Sequence, residues 1–358
     1  KIAATTALVA SCSPATPSAT PTPEPTATAT PTEIPPTRTP RPTPTLIPVP
    51  TTDVQKPDLV KTYPATKSKV IQTRHAGVWS DDTLSPEALR AMLAASVTAL
   101  TGINDAREAW SALFKPKERI AIKVNAFRNS LIWTHMPLVT AVTHALQEAG
   151  IPAENIVIFD YYTSELENVG YTLNRDGPGV RCYGTDRDYT RGWQIVGSTI
   201  ELSDVLLGCD ALINMPVLKS HRITGLTFAM KNHYGTLSTP QSFHNGNRRD
   251  MGMPELNALP PIKDRTRLII GDMLEACLKP KNAYPYWEAD WRGDEILMSF
   301  DPVAHDTVGL QRLTDLMTTK EINAEFATQR ATPWLENGEK IGLGAHTPEN
   351  IDIMPIAL

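Results

Sequence analysis

The chain has 358 residues and a net charge of −5, so it has no global attraction for nucleic acid or anionic lipid, and nucleic acid is not an expected partner. Residues 14–50 are almost entirely Pro, Thr, Ala and Ser and hold 13 of the 31 prolines. Such a stretch has too little apolar surface to offset the entropy of ordering, which makes 13–66 a disordered, extended Pro/Thr-rich linker. About 290 residues remain, 67–358, ample for the buried core of an α/β domain.

Before the linker, residues 1–12 have the form of a signal-peptide remnant. Ala3 to Ala10 is apolar and short, and Val9-Ala10-Ser11-Cys12 resembles the bacterial lipobox, in which small residues precede a lipidated cysteine. The expectation is a lipid anchor at Cys12 that holds an exported domain at the extracytoplasmic face of a membrane. The other cysteines, Cys182, Cys209 and Cys277, include no C-x-x-C pair. That argues against an iron–sulfur cluster or a structural zinc in this chain, and leaves open whether two of them pair.

Ser85 to Leu100 reads as a helix capped by Ser85 with Pro86 at its first position, and Ala106 to Phe114 as a second. Strand Arg119–Asn125, helix Pro137–Gly150 and strand Asn155–Asp160 form a βαβ unit, hence a parallel pair. Gly170 to Gly197, rich in Gly, Asp, Arg and Tyr, reads as an inserted subdomain or an edge, with short strands at Val180–Tyr183 and Trp193–Val196. Ser203–Gly208 reads as a short helix, and strand Ala211–Asn214 returns to the sheet. Pro216 then predicts an irregular loop that carries Lys219 and His221. Thr224–Tyr234 could be helix or loop, and Gln241–Asp250 reads as loop. Arg267–Asp272 is a core strand, Trp287–Asp294 a loop and Glu295–Phe300 a strand. Asp301-Pro302 opens a helix to about Met317, and a last helix is expected at Lys320–Thr328 before a Gly-rich turn at Gly342–Gly344. The fold class is therefore α/β: a mostly parallel sheet flanked by helices, with an inserted or second smaller subdomain.

Four of these strands end in a polar residue: Asn125, Asp160, Asn214 and Asp272. Ligands of open α/β sheets bind beyond the carboxyl ends of the strands, so these four should line one crevice, with Lys123 on the face of Asn125. The stretch Cys209–His244 adds Lys219, His221, Lys231, Asn232, His233 and His244. Lysines crowded by other cations suit base or nucleophile roles, or act as point charges for a carboxylate or phosphate. His221 and His244, with Asp160 or Asp272, could ligate a divalent metal, although no H-E-x-x-H motif is present. The chain also lacks a Walker A loop, a G-x-G-x-x-G and a G-x-S-x-G.

The residues resemble domain-of-unknown-function family 362. The resemblance rests on Ile122-Lys123-Val124-Asn125, Glu148-Ala149-Gly150, Asp210 to Asn214 with Pro216, Lys219 and His221, Thr227 with Lys231-Asn232 and Gly235, His244, Ile270 to Asp272, and Asp301 to Asp306. These pieces span about 119–344 in order. Many members carry added ferredoxin-like cysteine clusters, which implies redox work, but this chain has none. A remoter resemblance, to lactate-racemase-like proteins, follows the order Asp210, His221, Gly225, Lys231, Gly235, His244. It implies Lys231 as the attachment point of a nickel-pincer nucleotide and His244 as a ligand. Phe228-Ala229-Met230 stands where that pattern has glycines, and Ser220-His221 where it has Pro-His.

The sequence thus leads to a cationic crevice for an anionic small molecule. Lys231, His221, His244 and Lys219 are the catalytic candidates, and Lys123, Asn125, Asn214, Asn232, Asp160 and Asp272 the substrate-binding ones. An oxidoreductase or isomerase is the leading class, and a non-catalytic surface protein for a ligand or metal the alternative. The cofactor and the redox partner are not specified by the residues.

Overall fold

The computed structural model describes residues 55–358 apart from Arg128. Cys12, the apolar run before it and the spacer to residue 54 lie outside the described residues. The strands of the main sheet are β1 (Ser68–Arg74), β2 (Ile120–Lys123), β3 (Ile156–Phe159), β4 (Arg181–Cys182), β5 (Ala211–Asn214), β6 (Val217–His221), β7 (Gly225–Thr227), β8 (Thr266–Cys277), β9 (Trp291–Ser299) and β10 (Ile351–Ala357). The principal helices are α1 (Pro86–Thr101), α2 (Ala106–Leu113), α3 (Met136–Glu148), α4 (Pro302–Thr319) and α5 (Glu325–Lys340). None of the described helices is long and apolar enough to cross a membrane.

The sheet runs β10-β1-β9-β8-β5-β2-β3-β4, with β6 continuing alongside β8 and β7 folded back on β6. Along that path only β9 is antiparallel to its neighbours; the rest pair in parallel. The continuous apolar runs IAIK and ALIN are what a parallel strand with both faces covered requires, and every residue of β2 and β5 is buried. Ile122, Ile213 and Ile270 face a core built with α1, α2 and α3. Ala121, Leu212 and Phe159 point the other way, into a core shared with α4 and α5. The α/β reading therefore holds. Between β4 and β5, the hairpin Tyr189–Ile195 and Ser198–Ser203 forms a separate two-stranded sheet.

Several local expectations change. Lys219 and His221 lie on a strand, β6, rather than on an irregular loop: Pro216 sits at its entrance, and the Pro216 carbonyl still accepts from Asp272 N–H at 2.8 Å. β1, for which the sequence reading gives no element, is inserted between β9 and β10. The expected loop Trp287–Asp294 instead holds a two-residue strand, Trp287–Glu288, and the start of β9. The last helix is α5, not Lys320–Thr328; Glu321 adopts a left-handed φ of 56°, which turns the chain before α5 begins. Asp301 caps α4 as expected, accepting from Val303 and Ala304 N–H at 2.8 and 2.9 Å.

His135 at the start of α3 joins that helix to β8. Its backbone N–H and Nδ1 both meet Asp272 Oδ2, at 2.7 and 2.8 Å, and its Nε2 lies 3.4 Å from Glu275. Burial alone would lower the imidazole pKa, but the charge and hydrogen bond of Asp272, with those of Glu275, outweigh it and raise it to about 10. A raised folded-state pKa contributes stability that is fully present below the unfolded value near 6.5 and is lost as the pH rises to about 10. Urea midpoints should therefore fall between pH 6.5 and 10 in the parent, and fall less in His135→Gln. Parallel curves for the two proteins would refute the pairing.

Candidate functional site

The residues at the carboxyl ends of β2, β3 and β5 form two layers. The inner layer is built on Lys123, whose Nζ donates to Asp160 Oδ1 at 2.6 Å and to the Val124 carbonyl at 2.7 Å. Both side chains of the pair are nearly inaccessible to solvent. Asp160 Oδ2 accepts from Ala126 N–H at 2.6 Å and Oδ1 from Tyr161 N–H at 2.8 Å, so the carboxylate organises two loops as well as the lysine. Gly235 packs onto this pair: a Cβ there would stand 2.7 Å from both Lys123 Nζ and Asp160 Oδ1.

Three asparagines extend the layer. Asn232 Nδ2 donates to Asn214 Oδ1 at 2.7 Å and to the Lys123 carbonyl at 3.2 Å. Asn232 Oδ1 faces Lys123 Nζ and Asn125 Nδ2, each at 3.4 Å. Asn214 Nδ2 donates to the Ala229 carbonyl at 2.8 Å and faces His233 Nε2 at 3.3 Å. Asn125 is half-buried, and its Oδ1 accepts from Lys219 Nζ at 2.6 Å.

The outer layer holds Lys219 and His221 against Trp287, and Lys231 and His244 against Tyr234. Lys219 also faces the Ile132 carbonyl at 3.3 Å and Ser130 Oγ at 3.5 Å, which gives three oxygen acceptors for three ammonium protons. Its Nζ lies 5.7 Å from the Trp287 ring. Burial, with the charge of Lys231 next in weight, brings its pKa down to about 7. His221 stacks on Trp287, with centroids 5.4 Å apart, and lies 5.7 Å from His244. The indole Nε1 donates to the Ser220 carbonyl at 2.8 Å, which holds the platform in place.

Lys231 differs from the other lysine. It is half-buried, and among the described residues it makes no hydrogen bond or ion pair; its contact is the Tyr234 ring, 5.2 Å from Nζ. Desolvation lowers its pKa to about 8.

The two histidines have opposite tautomers. His221 Nδ1 accepts from Ile223 and Thr224 N–H at 3.2 and 3.1 Å, so the ring proton resides on Nε2. Burial and the charge of Lys231 keep its pKa well below the usual histidine value. His244 Nδ1 donates to the Pro240 carbonyl at 3.0 Å, which leaves Nε2 as a lone pair. Burial, then Lys231, lowers the His244 pKa to about 4. The pair therefore offers one N–H donor and one acceptor. An Nε2 metal ligand at His221 would have to displace the proton that its two backbone donors impose, so this geometry suits His221 to a donor role better than to the metal-ligand role. Among the described residues there is no group of three or more His, Cys, Asp or Glu placed to hold a metal ion. Cys182, Cys209 and Cys277 are free and buried.

The crevice expected from the sequence is thus brought together only in part. Lys219, His221, Lys231, His244 and Asn125 converge. Lys123, Asp160, Asn214 and Asn232 lie beneath them, engaged with protein partners, and Asp272 is fully buried against His135. These five support the site rather than line it. Trp287, Tyr234 and His135 were not among the candidates. No local signal marks Trp287: its role arises from the short pairing of Trp287–Glu288 with Ser130–Leu131.

A family model described as a domain of unknown function, DUF362, matches residues 120–311, more than half of the chain. The chain belongs to the DUF362 family. No curated protein matches it. Among solved structures, it is similar to the lactate racemase apoprotein from Thermoanaerobacterium thermosaccharolyticum at 8% identity and a TM-score of 0.36, covering 58% of this chain and 50% of that one. It is also similar to a structural-genomics protein from Thermotoga maritima at 11% identity and a TM-score of 0.39, covering 73% and 60%. The DUF362 chain thus spans about half and three fifths of those two proteins, and likenesses of this size carry no argument about its activity.

The two layers should respond differently to substitution. Lys123→Met leaves the Asp160 carboxylate buried without its counter-charge and is expected to lower stability by about 3–5 kcal/mol. Lys231→Met removes a desolvated amine that has no hydrogen-bond or ion-pair partner among the described residues, and is expected to leave the urea midpoint unchanged or raise it. Similar losses in the two variants would contradict this division.

Proposed function

We propose that the outer layer binds an anionic small molecule, a carboxylate or phosphate, and carries out isomerase-type proton transfer on it. The observation that carries this reading is Lys231: a half-buried amine beside Lys219 with no anionic partner among the described residues. Two desolvated cations at close quarters repel, and a bound anion supplies the missing counter-charge. The histidines add a proton acceptor at His244 Nε2 and a donor at His221 Nε2–H, with ring centroids 5.7 Å apart. Such a pair can accept a proton from one substrate atom while stabilising charge that develops on another.

Pyridoxal phosphate is a direct probe, because it joins a phosphate to an aldehyde that condenses with an uncharged lysine. After borohydride reduction, peptide mapping should find Lys231 labelled ahead of exposed lysines such as Lys281, with labelling rising through pH 8. Uniform labelling of surface lysines would remove the basis for the site. Catalysis is separated from simple binding by deuterium exchange from D2O into small 2-substituted carboxylic acids. Exchange lost in His244→Gln supports the isomerase reading, and binding without exchange supports a non-catalytic surface protein.

We also propose that Cys12 anchors the domain to a membrane through lipid, on the strength of Val9-Ala10-Ser11-Cys12 and the Pro/Thr-rich spacer behind it. Labelled fatty acid should enter the protein in a bacterial host and be absent from Cys12→Ser; incorporation in both would move the anchor elsewhere.

A further inference from the structure

The two lysines of the outer layer differ in what their nitrogens can do. Lys219 is buried, and its Nζ faces oxygens of Asn125, Ser130 and Ile132 at 2.6, 3.5 and 3.3 Å. With Cε as the fourth neighbour, that nitrogen acts as a donor and has no direction left for a new bond. Lys231 Nζ meets no oxygen. Among the described residues it makes no hydrogen bond or ion pair, and it stands 5.2 Å from the Tyr234 ring. Lys231 is half-buried rather than enclosed. Without an acceptor its ammonium has nothing to hold it charged, and desolvation favours the neutral amine, with a pKa of about 8. A desolvated lysine beside a second cation is the form in which this side chain serves as a nucleophile.

The groups around Lys231 suit it to a carbonyl. His244 packs on the same tyrosine, with 5.1 Å between centroids, so the imidazole and the amine share one ring. Its Nδ1 is turned to the Pro240 carbonyl, and its Nε2 is a lone pair. His221, 5.7 Å from His244 between centroids, presents Nε2–H. Carbonyl chemistry at a lysine requires an uncharged amine, an acceptor for the proton the amine loses and a donor for the carbonyl oxygen. Lys219 adds a fixed positive charge for a carboxylate beside that carbonyl.

We infer that the outer layer takes 2-oxo carboxylates and that Lys231 forms an imine with their keto carbon, an inference that rests on the proposed anion binding and proton transfer at this site. Lys231 Nζ adds to the keto carbon, and the π pair of the C=O bond moves to oxygen. One proton of the amine passes through His244 Nε2 to that oxygen, which gives a carbinolamine. Departure of the oxygen as hydroxide leaves a protonated imine, and nothing is oxidised or reduced. The imine withdraws electrons from the adjacent C–H bond, whose proton His244 Nε2 takes to give an enamine. Return of a proton to that carbon completes an exchange with solvent.

The test mixes the protein with pyruvate and sodium cyanoborohydride, which reduces imines. Peptide mapping should place the adduct on Lys231 and not on Lys219. Acetone, which has the keto group without the carboxylate, should give about tenfold less adduct. The adduct should be absent from Lys231→Met, whereas Lys219→Met should keep it and lose the preference for pyruvate. Deuterium from D2O should enter the methyl group of pyruvate, at the protein-free rate in Lys231→Met. Pyruvate should also slow the labelling of Lys231 by pyridoxal phosphate, which reads anion binding alone. Slowing without adduct or exchange overturns the imine and leaves the anion site standing, and neither slowing nor adduct overturns both. An adduct spread over exposed lysines, or equal exchange in Lys231→Met, also overturns the inference.

Discussion

The buried pair of Lys123 and Asp160 is the constraint on which the site depends. Neither group can leave water without the other, because an isolated charge in this interior would cost several kcal/mol. Once paired, they still need further partners, and those partners lie in the loops around the outer layer. Asp160 takes the N–H groups of Ala126 and Tyr161. Lys123 takes the Val124 carbonyl and approaches Asn232. The loop after β2 and the segment after β7 are thus fixed by a single ion pair, and Gly235 is required because any side chain there would drive into it.

From that base the asparagines transmit position rather than charge. Each offers a donor and an acceptor, so Asn214, Asn232 and Asn125 can be linked in series with no net charge placed in the interior. The series ends on Lys219, whose ammonium is aimed by Asn125 Oδ1 and the Ile132 carbonyl. Lys231, one residue before Asn232, inherits its place from the same element and has no acceptor of its own. The contrast is physical: oxygen acceptors surround Lys219, and among the described residues none meets Lys231.

Much of the fold was legible in the sequence because it depends on local pattern. The apolar runs of β2, β3 and β5, the Ser85 and Asp301 caps and the helix α1 need no distant information. β1 was not legible, because SKVIQTR gains its place only from pairing with β9 and β10, more than 200 residues away. β6 was missed for a related reason: Pro216 breaks a helix, but it is tolerated at the start of a strand whose neighbour is supplied by β8. At the site, the residue types that form the outer layer could be read from Cys209–His244, but their depth could not. Lys123 and Lys219 look alike in sequence, yet one has a buried carboxylate partner and the other has neutral oxygens. Asp272 looked like a crevice residue until His135, 137 positions earlier, claimed its Oδ2.

The distribution of carboxylates explains why the outer layer stays cationic. Three acidic groups near the core, Asp160, Asp272 and Asp301, are each turned inward and held by N–H donors. Asp160 faces Lys123, Asp272 faces His135, and Asp301 caps α4. None is hydrogen-bonded to Lys219, Lys231, His221 or His244. An inward carboxylate adds structure by satisfying backbone donors, whereas the same group in the outer layer would cancel the positive field of Lys219 and Lys231. Keeping Lys231 without a partner lowers its pKa and costs stability, and that cost is tolerable because the inner layer is independently held together by Lys123, Asp160 and the asparagines. The separation of a self-satisfied inner layer from an under-satisfied outer one is what allows a stable sheet to hold desolvated lysines and histidines at its edge.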